Sequence, residues 1–285
     1  MRMIDMYDSK NMKFWRGINF LLLIAGSLFM MAPLFWMLSI ALKSMDEIYR
    51  GEFSFIPDDI QFSNFIEIFN VIPFGTYFLN TSVITVIVVL ANVFVNAFIA
   101  YGFAKIKFKG RKTLFIIVLS TMMLPGFVTL IPQYVIFAKI GLVNTYYPLI
   151  IPHLLGSAFN IFLLRQFFKG VPDTYIEAAK LEGANHFQIF FKIALPMVKP
   201  ALFTVAIFSF NGVWNDFLGP LLYLNDESLY TLQLGLQVFQ EQSTTQWNYL
   251  MVGSLLILAP VIILFFFFQK YFIQGSNILG DREEK

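Results

Sequence analysis

The sequence predicts an all-α, polytopic membrane protein with six transmembrane helices, and three observations carry that prediction. Hydrophobic residues make up 58% of the chain and charged residues only 13%, with 35 Phe; so few charges do not cover a soluble globule of this length. Six apolar stretches are each long enough to cross a hydrocarbon core of roughly 30 Å, which takes about 20 helical residues. The basic residues also fall overwhelmingly on one side of such a topology.

The stretches run over residues 17–42, 78–104, 113–138, 146–168, 201–223 and 250–273. The first follows a basic flank (Lys10, Lys13, Arg16) like that of a signal peptide. Its apolar run is longer than the usual 7–15 or so residues, so it is expected to be retained as a span. Pro125-Gly126 and Pro132 interrupt the third stretch, and Pro33 and Pro260 are expected to bend the first and last. Such breaks survive in lipid where neighbouring helices or water satisfy the freed carbonyls. With both termini in the cytoplasm, all of the 20 basic residues except Lys43, Arg50 and Lys139 lie on the inner side. That asymmetry sets orientation.

The expected organisation is an inner tail 1–16, a six-span domain 17–273 and an inner tail 274–285. Residues 43–77 read as an acidic, partly helical external loop. Residues 105–112 (KIKFKGRK) form a tight basic inner turn that fixes topology, and 224–249 form an external loop without Lys or Arg. The largest inner loop is 169–199.

Several function classes are excluded or unsupported. A net charge of +2 gives no reason to expect nucleic acid as a partner. Without Cys there is no disulfide, thiolate metal site or lipidated thiol. His153 and His186 stand alone and make no metal set. No GxxxxGK[ST] phosphate loop is present, and no catalytic set is legible.

The inner loop carries the sharpest local signal. Pro172 and Asp173 suit a helix start, the one because its missing N–H needs no partner there, the other because it faces the positive end of the dipole. Good helix formers follow to Glu182, and Gly183 sits where a left-handed C-terminal residue is wanted. A second short helix is expected over 184–193, before Pro196 and Pro200 launch the fifth span. On spacing alone, an amphipathic hairpin resting in the membrane interface and a docking element for another protein remain equal alternatives.

Glu177-Ala178-Ala179, Gly183-Ala184, Ile193 and Leu195-Pro196 resemble, at the right spacing, the EAA loop of binding-protein-dependent ABC importer permeases. Glu182 stands where that loop often has Asp. Pro33-Leu34-Phe35-Trp36, Phe55-Ile56-Pro57 and Trp214-Asn215-Asp216-Phe217 are similar to the sugar-importing branch, in particular its smaller, maltose-type permease. The similarity covers nearly the whole chain; the tail SNILGDREEK departs from it.

The resemblance implies the type I importer permease fold and a non-catalytic subunit of a sugar importer in a bacterial cytoplasmic membrane. Glu177, Ala178, Ala179, Glu182, Gly183, Ala184, Ile193, Leu195 and Pro196 would then couple it to a separate ATPase dimer that binds ATP and Mg. A second permease, an external solute-binding protein, the sugar and membrane lipid complete the expected partners. It also implies that the 224–249 loop enters the binding protein, with its tip around 235–246.

Asp216 is expected well inside the fifth span, with Asn211, Trp214 and Asn215 nearby. Intramembrane polar groups either line a pathway or hold helices together, and both readings stand for these four. Asn92 and Asn96, four apart on one helix face, are treated alike. A self-sufficient secondary transporter, invited by the broken third span, and a permease for a non-sugar solute are the alternatives.

Overall fold

The computed structural model describes residues 4–241 and 245–280, and every regular element among them is helical. In chain order they begin with α1 (Ile4–Ala41), α2 (Met45–Tyr49), α3 (Asn64–Val71), α4 (Phe74–Lys105), α5 (Arg111–Ser120) and α6 (Gly126–Lys139). Next come α7 (Tyr147–Leu154), α8 (Ala158–Gly170), α9 (Asp173–Leu181), α10 (His186–Ile189), a π-helical turn (Phe190–Ala194), α11 (Leu195–Met197) and α12 (Lys199–Trp214). The chain closes with α13 (Leu218–Tyr223), α14 (Leu232–Gly235), α15 (Val238–Glu241) and α16 (Trp247–Gly280). Two compact units result, one of residues 1–71 and 239–256, the other of 72–238 and 257–285.

Four helices are long and apolar enough to cross a membrane, and two bent pairs raise the number to six if each pair is one span. The expected third span is the first such pair, with α5 and α6 meeting at 96° across Leu124-Pro125. The expected fifth span is shorter than its apolar window: α12 ends at Trp214, and α13 is a separate helix. Asp216 therefore sits at a break and not within a span. Its carboxyl Oδ1 accepts the Gly219 backbone N–H (3.1 Å) and so starts α13. The expected inner tail is partly helical, because α1 already begins at Ile4.

The larger unit is assembled on α4, which runs 32 residues without a proline, about 48 Å. Fully buried Ala97 and Ala100 let α8 pack closely through Ile161, Leu164 and Phe168. Towards the other end, Ile84 and Val88 pack with Leu149, Tyr223 and Leu234. Residues 232–236, expected in a polar external loop, are largely buried because Leu232, Leu234 and Leu236 turn inward. A Cβ on Gly235 would run into the Tyr77 ring.

The smaller unit holds α1, whose apolar window has no buried residue; Phe29 and Met30 are 81% and 82% exposed. Just after it, Lys43 is 2% exposed. Its Nζ donates to the Ser54 carbonyl (2.7 Å), pairs with Glu47 (3.3 Å) and lies over the Trp36 ring. Glu47 in turn accepts the Asp58 N–H (3.2 Å). Asn64 Nδ2 donates to the carbonyls of Ala41 and Lys43 (2.9 and 3.0 Å), and Asn248 donates to Asn64 (3.3 Å).

Removing one partner of a buried ion pair strands the other, at a cost of about 3–5 kcal/mol. Lys43→Met should therefore loosen this loop, seen as faster tryptic cleavage at exposed Arg50 in purified protein, while Lys43→Met/Glu47→Leu should be less harmful. Equal cleavage rates in wild type and Lys43→Met would contradict this account.

Candidate functional site: an anchored helical hairpin and a polar cavity

The hairpin follows from its local sequence. Pro172 takes the N-cap position with extended backbone, and α9 runs from Asp173 to Leu181. Gly183 turns the chain at φ +83°, and a Cβ added there would meet nothing within 4 Å, so only backbone conformation demands glycine. The next helix starts at a capping box that motif spacing did not reveal: Asn185 Oδ1 accepts the Gln188 N–H and Gln188 Oε1 accepts the Asn185 N–H, both at 2.9 Å. From His186 the chain stays helical to Met197, through the π-helical turn, and then bends 82° into α12.

The coupling candidates divide by burial. Glu177, Ala178, Glu182, Gly183 and Pro196 are exposed. Ala179 is buried, and Ala184, Ile193 and Leu195 pack against the same core. Leu181, at the hairpin tip, is 91% exposed, with Tyr175 also exposed on α9. No motif pointed to these two exposed side chains, since helix periodicity alone does not say which apolar residue faces outward.

The hairpin is tied to α4 at both ends. Lys105 Nζ donates to the Val171 carbonyl and to Asp173 Oδ1, both at 2.6 Å. The lysine's hydrogen bond and charge hold the Asp173 carboxyl below its ordinary range. Its support for the hairpin is thus full above the ordinary carboxylate pKa and is lost only as pH falls through the lower folded value, so the contact is intact at neutral pH. On the other side, Phe98 stacks on Phe187 (5.7 Å) and meets Phe190 edge-on (5.6 Å), and Tyr101 packs on Phe190.

Farther along α4 lies a cavity of about 490 Å³, lined among others by Thr81, Asn92, His153, Ser209, Asp216 and Thr231. A directed chain of hydrogen bonds orders one wall. The Ser157 N–H, beside positive-φ Gly156, donates to Asn96 Oδ1 (2.7 Å). Asn96 Nδ2 donates to Asn92 Oδ1 (3.1 Å), which leaves Asn92 Nδ2 to donate to His153 Nδ1 (3.4 Å). Asn92 thus faces the cavity, whereas Asn96 braces the break between α7 and α8.

Of the four pathway candidates, only Asp216 lines this cavity. Trp214 is buried and its Nε1 donates to the Ile257 carbonyl (3.0 Å), so it ties α12 to α16. Asn215 Nδ2 donates to the Asn211 side chain (2.9 Å), and Asn211 lines a separate apolar groove with residues of α16. Thr81, Ser209 and Thr231 went unnoticed in the sequence, because three hydroxyls from distant segments share no motif.

Residues 95–277, which include the hairpin and most of the cavity lining, match the family described as binding-protein-dependent transport system inner membrane component. The probable ABC transporter permease YurM of Bacillus subtilis is 36% identical over 244 residues, 85% of this chain and 81% of its own length. The arabinooligosaccharides transport system permease AraQ of Halalkalibacterium halodurans is 32% identical over 251 residues, 87% of this chain and 90% of its own. A chain from the crystal structure of a bacterial ABC transporter involved in the import of the acidic polysaccharide alginate superimposes with a TM-score of 0.79 at 26% identity, covering 91% of this chain and 97% of that one. The sequence, the fold and the exposed hairpin at the foot of α4 agree: this chain belongs to the family of binding-protein-dependent transport inner-membrane components, the permeases of ABC importers.

Proposed function

We propose that this chain is one permease subunit of an ATP-driven sugar importer in a bacterial cytoplasmic membrane, coupled to its ATPase through the hairpin around Gly183. The observation that carries the coupling is geometric: Glu177, Ala178, Glu182 and Leu181 project from a short helix that Lys105 and the Phe98 stack fix to the longest uninterrupted span. Movement of the hairpin is thereby movement of α4, and α4 lines the cavity. The similarity to AraQ supports a sugar, or short oligosaccharide, as solute.

In this reading the first bent pair is one span and α12 with α13 forms the fifth, giving six with both termini inside. A second permease completes the pathway, an external binding protein delivers the solute, and the ATPase dimer binds ATP and Mg. Nothing in the hairpin performs chemistry. Family membership leaves the secondary-transporter alternative without support, and a non-sugar solute remains the second reading.

Losing a charge-assisted contact at the docked interface costs roughly 1–3 kcal/mol, and a β-branched residue at positive φ about 1–3 kcal/mol. Glu177→Ala and Gly183→Val should therefore lower ATPase co-purification and solute uptake, while Gly183→Asn, which tolerates that φ, stays near wild type. Wild-type behaviour of both damaging variants at equal membrane levels would refute the coupling role.

Lys105→Met tests transmission as opposed to docking. The ATPase should still co-purify, but uptake per ATP hydrolysed should fall; an unchanged ratio would show that the Lys105 clamp transmits nothing.

Orientation is checked by single cysteines, since the natural chain has none. An impermeant thiol reagent added outside should label positions within 46–60 but not within 105–112 or 172–192. External labelling of 172–192 would invert the topology.

A further inference from the structure

We propose that the cavity lined by α4, α7, α12 and α13 is a transit site for an uncharged saccharide, built within this one subunit, and that it disfavours anionic saccharides. The inference rests on the importer reading above and narrows its substrate. The volume, about 490 Å³, lies in the range of small-molecule sites, roughly 300–1,000 Å³.

Two hydroxyls lining it await a partner. Ser209 and Thr231 are 8% and 5% exposed, and neither side-chain oxygen has a hydrogen-bond partner among the described residues. Natural structures rarely leave buried polar atoms so, unless a ligand or water supplies the bond. A saccharide hydroxyl both donates and accepts, so it serves either residue whichever way the side-chain hydrogen turns. Asn92 and Asn160 add amides, while Ile84, Leu149, Val213 and Phe208 offer apolar surface to the C–H faces of a sugar ring.

The charge balance of the lining selects among saccharides. Among the described residues it contains no Lys or Arg, and its one acidic group is Asp216. Asn92 Nδ2 lies 3.4 Å from His153 Nδ1, so an amide and not an acidic group faces that ring nitrogen. An entering carboxylate or phosphate would lose its water and gain no cation in exchange. A neutral sugar avoids that cost, and Asp216 can accept from one of its hydroxyls.

The absence of native Cys permits a direct test in the assembled importer. With Ser209→Cys, mixed-disulfide formation with a small methanethiosulfonate reagent, which releases methanesulfinate, is followed on this chain's own band while arabinotriose, maltotriose or trimannuronate is added. At least one neutral trisaccharide should slow the modification about tenfold at tenfold excess over its half-saturating concentration, and trimannuronate should not. Protection by trimannuronate equal to that by the neutral sugars, or protection by none of the three, would overturn the proposal.

Ser209→Leu, which fills the cavity, provides the second readout. Uptake of the protecting sugar should fall about tenfold, the effect of roughly 1.4 kcal/mol, with membrane level and ATPase co-purification reporting correct folding. Unchanged uptake in Ser209→Leu alongside lost uptake in Glu177→Ala would overturn the cavity assignment and leave the importer reading standing. Failure of the wild-type importer to take up any saccharide offered with its binding protein would overturn both.

Discussion

A segment inside a bilayer cannot leave backbone N–H or carbonyl groups unpaired, because no water is there to receive them. α4 meets this condition along its whole length, whereas most elements around it are interrupted. The side chains of α4 answer those interruptions one by one. Asn96 takes the Ser157 N–H where α7 gives way to α8, and Thr81 Oγ1 takes the Leu232 N–H (2.8 Å) where α14 begins. Asn80 donates to the carbonyls of Ser228 and Tyr230 (2.9 and 3.0 Å), and Lys105 donates to that of Val171. The polar residues of α4 are therefore fasteners for the broken parts of the fold, and the interior they hold open is a consequence of the breaks.

The same arrangement joins the two functional regions. One end of α4 grips the hairpin through a lysine and stacked aromatic rings, and its middle contributes Asn92 to the cavity. α4 has no internal proline, so the connection from hairpin to cavity wall is one continuous helix. The other route out of the hairpin is more yielding: it runs through a π-helical turn and an 82° bend before α12 begins. A continuous and a bent connection leave the same hairpin and meet again at the cavity, where Asn92 comes from one and Ser209 from the other.

Features that depend on local spacing were legible in the sequence. Four long apolar helices, the Pro-Gly interruption of the third stretch, the Pro172 start and the Gly183 turn appear where the residues implied. Features that depend on distant partners were not. Hydropathy runs smoothly from α12 into α13, so it hides the break that Asp216 makes by capping the second helix. Counting polar residues in 224–249 obscures Leu232, Leu234 and Leu236, whose burial is decided by the surface they meet. Lys43 appeared as an exception to the charge rule, yet it is buried at the start of the loop that follows α1. Thr81 bonds the Leu232 N–H beside Thr231 across 151 residues of chain, and no window reading joins such partners.

The fasteners on α4 also impose an order on biogenesis. Asn96 leaves the ribosome 61 residues before Ser157, an interval of about 3–12 s at typical elongation rates. Thr81 precedes Leu232 by 151 residues and so waits longer still. Throughout that time Thr81 and Asn96 have only partners within α4, the carbonyls of Tyr77 and Asn92. The helix can thus be synthesised with these side chains already paired, and each later segment adds its own bond on arrival.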